Sequence, residues 1–143
     1  MARPSRIDKS ALAIGLPADP VREPVEGKSE AHLARVRRLG CMVCAGAPVH
    51  PHHLMRLSDG LPRGQRRNLD RWCVPLCPGH HDGAHGRGQD PERIADDEAY
   101  LARKGHDGVA TARFLWAHLK DDAEGCEAFL QKARDMARLK ARG

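Results

Sequence analysis

Two closely spaced pairs of metal-ligand residues constrain this chain more than any other feature. Cys41-Met-Val-Cys44 is a C-x2-C pair, and Cys77-Pro-Gly-His80 is a C-x2-H pair further along the chain. A tight turn of this kind presents two ligands to one tetrahedral ion, and two such turns complete the four ligands of a structural zinc site. We therefore predict that Cys41, Cys44, Cys77 and His80 bind a structural zinc. The alternative is that the cysteines are ordinary buried thiols.

A metal cross-link would suit the rest of the composition. The 143 residues are enough for one domain, or for one domain with a tail, but only 3% are aromatic, which rules out a large aromatic core. There is no run of 18 apolar residues and no apolar stretch of a signal peptide at the N-terminus. These absences predict a cytoplasmic protein without a membrane partner. Disulfides rarely persist in that compartment, so the cysteines favour a metal, while Cys73 and Cys126 are predicted to be buried core residues.

The order of helix and strand signals predicts an α+β fold. A proline-containing arm, extended or disordered, is expected over 1–28, a zinc-containing core over 29–90 and a helical extension that packs on it over 91–143. One strand is expected after the knuckle turn within 41–54, a loop over 58–71 and a second strand over 72–76. The predicted helices cover 29–39, 78–86, 90–105, 107–120 and 122–140, with Ser29, Asp90 and Asp107 as start signals.

Four histidines are spaced so that they can form a second metal site. His52 and His53 are adjacent on a predicted strand and should point to opposite sides, whereas His81 and His85 are four residues apart and share one helical face. One of the strand pair can bind a metal while the other faces a substrate water. Three imidazoles leave open positions on a metal, as a catalytic site requires. The alternative for any single one is a surface or hydrogen-bonded side chain, which is also the prediction for His32, His50, His106 and His118.

The order C-x2-C, His-His, then C-x2-H-H-x3-H resembles the HNH endonucleases, the zinc-containing branch of the ββα-metal (His-Me finger) nucleases. The likeness covers residues 31–87, about 40% of the chain. A wider stretch, 32–116, also resembles a phage and prophage family of HNH-type proteins, through Val74-Pro75-Leu76-Cys77-Pro78 and Gly105-His106-Asp107. The resemblance implies a β-hairpin followed by a helix, which together hold one divalent metal.

The resemblance also implies roles for individual residues. His53 matches the general base, His52 the metal ligand before it, and His81 and His85 the metal ligands on the helix. The two cysteine pairs match the structural zinc ligands, although His80 stands where the family usually has a fourth cysteine. The asparagine of the HNH name has no match in register, where this chain has Trp72. Asn68 and Asp70 are nearby, so either Asp70 braces the loop or the site is altered.

The charge distribution favours a nucleic-acid partner. The net charge is +5, and residues 34–71 carry eight arginines against two aspartates, whereas residues 88–131 carry five basic and ten acidic side chains. A basic half joined to an acidic half indicates one surface that faces nucleic acid, although scattered charge on a soluble protein is the plainer alternative. The side chains expected to follow a phosphate backbone are Arg56, Arg63, Arg66, Arg67 and Arg71. Few aromatics are available to stack unpaired bases, which favours duplex or branched DNA.

The predicted function is a metal-dependent DNA endonuclease that leaves 5′-phosphate and 3′-hydroxyl ends, as the resemblance implies. Its expected cofactors are a structural zinc and one catalytic divalent metal (Mg, Mn, Ni or Zn), and its expected partners are DNA and phage or recombination proteins. Two alternatives remain: a non-catalytic zinc module that binds nucleic acid, and an HNH-like scaffold for phage packaging or recombination. The zinc module gives His53, His81 and His85 no common role, whereas the acidic helical tail after residue 88 fits the scaffold as well as it fits a nuclease.

Overall fold

The computed structural model describes residues 27–54 and 69–142. The arm predicted over 1–28 and the loop predicted over 58–71 therefore lie largely outside the described residues. Over the described ranges every helix is too short or too polar to span a bilayer. The elements in chain order are α1 (Glu30–Val36), β1 (His50–His53), a 3₁₀ turn (Asp70–Trp72), β2 (Cys73–Leu76), α2 (Pro78–Ala84), α3 (Asp97–Arg103), α4 (Gly108–His118) and α5 (Ala123–Arg142).

A small antiparallel sheet of β1 and β2 lies at the centre, so the α+β prediction is confirmed. His52 pairs with Val74 and His53 with Cys73. All four residues of β2 are buried, and the backbone N–H of Met42 donates to the Pro75 carbonyl at 2.9 Å. This contact places the first cysteine turn beside β2. A two-stranded sheet is marginal alone, so its stability depends on the helices packed around it.

The helices enclose the sheet with one apolar core. Each contributes at least one residue that is almost completely shielded from solvent; α1, α2 and α4 contact β2, and α3 and α5 pack on α4. The largest fully buried aliphatic residues from these elements are Val36, Val74, Leu76, Leu101, Leu115 and Leu130. Helix α4 thus packs on β2, the strand paired with the histidine-bearing β1.

Two helix starts were predicted correctly, at residues whose side chains accept a hydrogen bond from the first turn of the helix. The Ser29 hydroxyl accepts from the His32 N–H, and the Asp107 carboxylate accepts from the Ala110 N–H, as expected for N-caps. The predicted start at Asp90 is wrong, because α3 begins seven residues later behind Asp96. The Asp90 carboxylate instead accepts from the Tyr100 hydroxyl at 2.5 Å and pairs with Lys104 at 2.8 Å.

Gly83 in α2 is required by the packing of Tyr100. A Cβ at Gly83 would lie 2.5 Å from the Tyr100 hydroxyl oxygen, and Tyr100 is fully buried. We expect Gly83→Ala to lower the free energy of unfolding by about 1–3 kcal/mol, the usual cost of overpacking. Urea denaturation followed by circular dichroism measures the change.

Gly79 in the same helix is the matched control. A Cβ there meets no heavy atom within 4 Å. Gly79→Ala should therefore leave the stability unchanged or raise it by up to about 1 kcal/mol through helix propensity. Equal effects of the two substitutions would contradict the close contact between α2 and Tyr100.

Candidate metal centres

The two predicted cysteine turns come together, and we call Cys41, Cys44, Cys77 and His80 the cysteine knuckle. Their four ligand atoms all lie within 4.8 Å of one another. The Cys44 and Cys77 sulfurs are 3.8 Å apart, and His80 Nδ1 lies 3.2 Å from Cys77 Sγ and 3.5 Å from Cys41 Sγ. In a zinc tetrahedron with ordinary bond lengths, two sulfurs are about 3.8 Å apart and a sulfur and a nitrogen about 3.6 Å. The donor set therefore fits one tetrahedral zinc.

The surroundings of the cysteine knuckle favour a cation. The backbone N–H groups of Val43 and Gly46 point at the sulfurs of Cys41 and Cys44, each at 3.4 Å. Burial, with the neighbouring Cys41 and Cys44, raises the pKa of Cys77 to about 11. Packed sulfurs of this kind resist ionising together unless a metal neutralises them.

Helix α5 is attached to the same turn through a buried arginine. Arg134 Nε donates to the backbone carbonyl of Cys41 at 3.0 Å, and Arg134 Nη1 donates to the Gln131 side chain at 2.9 Å. Arg134 is only 5% exposed. Since a guanidinium is rarely buried without partners, this contact fixes the C-terminal helix on the first cysteine turn.

The structure also brings together His52, His81 and His85, which we call the three-histidine cluster. One ligand nitrogen from each lies within 4.8 Å of the others. His52 is supplied by β1, His81 by α2, and His85 is the C-cap residue of α2. The ring centroids of His81 and His85 are 4.7 Å apart, and each is 5.1 Å from that of His52. The predicted shared face of His81 and His85 thus meets the strand.

Burial favours the neutral form of two histidines in this cluster. Burial, followed by the neighbouring His52 and His85, lowers the pKa of His81 to about 4. Burial is also the main reason that the pKa of His85 is lowered. Neutral imidazole is the form that binds a metal, so both residues are in their binding form at neutral pH.

The lowered pKa of His81 makes the fold sensitive to acid. An unfolded chain takes up a proton on this residue at about pH 6.5, whereas the folded chain resists until about pH 4. Proton uptake between these values favours the unfolded state, so stability should fall as the pH drops through this window. Urea midpoints at pH 7.5, 6.5, 5.5 and 4.5 measure the loss. His81→Asn should reduce this dependence but not abolish it, because burial also lowers the pKa values of His32, His80, His85 and His106. Replacing the exposed His118 by Asn should leave it unchanged. Parallel curves for wild type and His81→Asn would contradict the assignment.

His53 points away from the three-histidine cluster, as the strand alternation predicted. Its Nε2 lies 2.9 Å from Asp70 Oδ1, and its side chain remains 30% exposed while that of Asp70 is 5% exposed. The other carboxylate oxygen of Asp70 accepts from the Ser29 N–H at 2.7 Å. Asp70 is therefore fixed at the start of α1 and orients the His53 ring.

Cys73 lies beside this pair without being a reactive thiol. Its sulfur is within 4.8 Å of the ligand atoms of His53 and Asp70, which resembles the arrangement of a cysteine nucleophile with its base. However, Cys73 is fully buried, and burial followed by the charge of Asp70 raises its pKa to about 12. The thiol stays protonated at neutral pH, so Cys73 is a core residue, and Cys126 is likewise fully buried.

Sequence reasoning missed Asp97 and one nearby histidine, and it named Asp70 as a brace for the loop without assigning it to His53. Asp97 Oδ2 lies 2.9 Å from His52 Nε2, and Asp70 Oδ1 lies 2.9 Å from His53 Nε2. Both acids are far from these histidines in sequence. His50 was predicted to be ordinary, but its ring centroid lies 5.6 Å from that of His81. The period of two along a strand puts His50 on the same face as His52, which was the available signal.

Of the five predicted phosphate contacts, only Arg71 is described. Its guanidinium carbon lies 5.6 Å from the centroid of the Trp72 ring and 5.8 Å from that of Trp116. Arg56, Arg63, Arg66 and Arg67 lie outside the described residues. The role of this basic segment in binding nucleic acid therefore stays a prediction.

No protein-family model, curated protein or solved structure matches the chain in the comparisons made.

Proposed function

We propose that the protein is a metal-dependent DNA endonuclease of the ββα-metal type, stabilised by zinc in the cysteine knuckle. The observation that carries this proposal is the arrangement around the end of β1. His52 joins the helical histidines His81 and His85 in a group of nitrogens within 4.8 Å, while the next residue, His53, is oriented by Asp70. The proposed metal ligand His52 and the proposed base His53 are therefore consecutive residues of β1 that point to opposite faces of the strand.

The chemistry of the cluster suits a catalytic metal better than a structural one. Three imidazoles supply three of the four or more positions that a transition metal uses, so positions remain for a phosphate oxygen or a water. Imidazole ligands without a carboxylate favour Zn, Ni and other transition metals over Mg. A bound divalent ion would neutralise charge that builds on the scissile phosphate and on the leaving oxygen.

His53 accepts the proton of the attacking water, and Asp70 orients it. Because His53 Nε2 faces the Asp70 carboxylate, the neutral ring donates Nε2–H to it and keeps the lone pair of Nδ1 for a proton from the attacking water. The ring is 30% exposed, so water can reach it. Asp70 is held by the Ser29 N–H and therefore keeps the tautomer and orientation of His53 fixed.

DNA is the proposed substrate because the basic segment is close to this site in the chain. The arginines at 56, 63, 66 and 67 follow His53 directly, and Arg71 follows Asp70. Contacts between arginine and phosphate would raise affinity without reading sequence.

Incubation of purified protein with supercoiled plasmid tests the proposal. We expect nicked and linear products with Mn²⁺, Ni²⁺ or Zn²⁺, weaker cleavage with Mg²⁺, and none after chelation. The double variant His81→Ala/His85→Ala should lose cleavage while its knuckle zinc remains. Binding of DNA without cleavage under every metal and with every form of DNA would replace the nuclease by the non-catalytic zinc module.

A further inference from the structure

Helix α3 lies beyond residues 31–87, which contain the Cys and His motifs, yet it reaches the proposed metal ligand His52 on β1. Asp97 Oδ2 lies 2.9 Å from His52 Nε2, and both side chains are 2% exposed. The two residues are 45 positions apart in the chain. Burying a carboxylate this deeply costs free energy of desolvation, and the hydrogen bond to the imidazole offsets that cost.

The contact decides which nitrogen of His52 is available to a metal. With Nε2 bonded to a carboxylate, a neutral imidazole donates its proton there and leaves the Nδ1 lone pair free to bind a metal. Asp97 is not a member of the three-histidine cluster, whose ligand atoms lie within 4.8 Å of one another. Its place is that of the outer carboxylate which commonly orients a metal-binding histidine and increases its basicity.

The backbone around Asp97 is fixed on the helix that carries the other two ligands. The Ile94 N–H donates to the Gly83 carbonyl at 3.1 Å. Gly86 follows the C-cap residue of α2 with a positive φ, and a Cβ there would lie 2.9 Å from the Ala95 nitrogen, so the two backbones touch. Tyr100, one turn further along α3, packs against Gly83. Asp97 therefore connects α2, with His81 and His85, to the His52 ring on β1.

We propose that Asp97 is the positioning residue of the three-histidine cluster. It holds His52 with Nδ1 facing the nitrogens of His81 and His85, so that the helical extension after residue 91 is part of the metal site and not an appendage. This inference deepens the proposed function and rests on its metal site. A carboxylate that only anchored α3 would stabilise the fold without changing metal affinity.

Metal titration in the absence of DNA separates these roles. The cysteine knuckle is first loaded with one equivalent of Zn²⁺, and Co²⁺ is then titrated into the three-histidine cluster by calorimetry and absorption. We expect Asp97→Ala to bind Co²⁺ about 10–100-fold more weakly, as is usual when an outer partner of a metal-bound histidine is removed. Asp97→Asn should lose less, because its amide oxygen still accepts from Nε2–H, and it serves as the test variant if the alanine variant does not fold.

Asp96 is the matched control on the same helix. Its side chain accepts from the Ala99 N–H and caps α3. Asp96→Ala should cost about 1 kcal/mol of stability through the lost cap and leave Co²⁺ affinity unchanged. A loss of affinity equal to that of Asp97→Ala would show that intact α3 matters and not the carboxylate on His52, and would overturn the proposal.

The tautomer of His52 gives a second readout that a structural role would not move. Nitrogen-15 NMR should find the proton on Nε2 in the wild type, with Nδ1–H appearing in Asp97→Ala. Unchanged Co²⁺ affinity in Asp97→Ala would overturn the positioning role. A wild type that binds Co²⁺ but never cleaves DNA would overturn the nuclease proposal alone, whereas a wild type that binds no second ion would overturn both.

Discussion

Cys77→Ser is expected to remove the folded state and not merely weaken it. Cys77 Sγ lies within 3.8 Å of both Cys44 Sγ and His80 Nδ1, so it is central to the cysteine knuckle. Structural zinc contributes about 10–16 kcal/mol of apparent binding free energy in small zinc domains, comparable to or larger than the 5–15 kcal/mol of total stability typical of a domain. Two four-residue strands with a largely aliphatic core offer little to replace it.

Metal analysis and far-ultraviolet circular dichroism measure this loss. The wild type should carry one zinc that survives mild chelation, and strong chelation should unfold it. Cys126→Ala is the control, since Cys126 is a fully buried cysteine outside the knuckle and its loss should cost about 1 kcal/mol with the zinc retained. His80→Cys should also retain zinc, because a fourth thiolate completes the same tetrahedron. A folded Cys77→Ser protein without metal would contradict the cross-link.

The features that the sequence predicted depend on short-range geometry. The spacing of a C-x2-C turn is enough to bring its own two sulfurs together. Only the pairing of the C-x2-C turn with the C-x2-H turn around one ion had to be predicted in addition. The alternation along a strand separated His52 from His53, and the helical spacing aligned His81 with His85. Capping by Ser29 and Asp107 is equally local, since each side chain reaches only three residues ahead.

The features that were missed depend on the path of the chain. Asp97 follows a capping residue in an acidic first turn, where a carboxylate is ordinarily explained by the helix dipole. Only the packing of α3 on α2 turns it toward His52. Asp90 precedes a proline and has the local pattern of a helix start. Its Oδ1 still accepts from the Glu92 N–H, but no helix follows, and its Oδ2 binds the Tyr100 hydroxyl and Lys104. Both Asp97 and Asp90 thus have a local explanation in the sequence, which does not predict their tertiary contact.

The role of Asp70 also depends on the path of the chain. Its position near the missing asparagine of the HNH pattern left two readings open, a brace for the loop or an altered site. The structure gives it two hydrogen-bonded partners, the Ser29 N–H and His53 Nε2, from elements on either side. We infer that the carboxylate braces the start of α1 against His53, and this arrangement makes the proposed role of His53 as a base testable through Asp70.

His53→Ala should reduce plasmid cleavage by about 10²–10⁴-fold, the usual contribution of a positioned general base. His53 is partly exposed and contributes little to the core, so the variant should keep its fold, its knuckle zinc and its Co²⁺ affinity at the three-histidine cluster. Asp70→Asn should cleave at an intermediate rate, because an amide can accept from the ring but no longer stabilises the imidazolium that forms.

His118→Ala replaces an exposed histidine far along α4 and should cleave as the wild type does. Initial nicking rates at saturating metal compare the four proteins. Because metal content stays constant across them, a wild-type rate in His53→Ala would remove His53 as the base and leave the metal site as the remaining basis for cleavage.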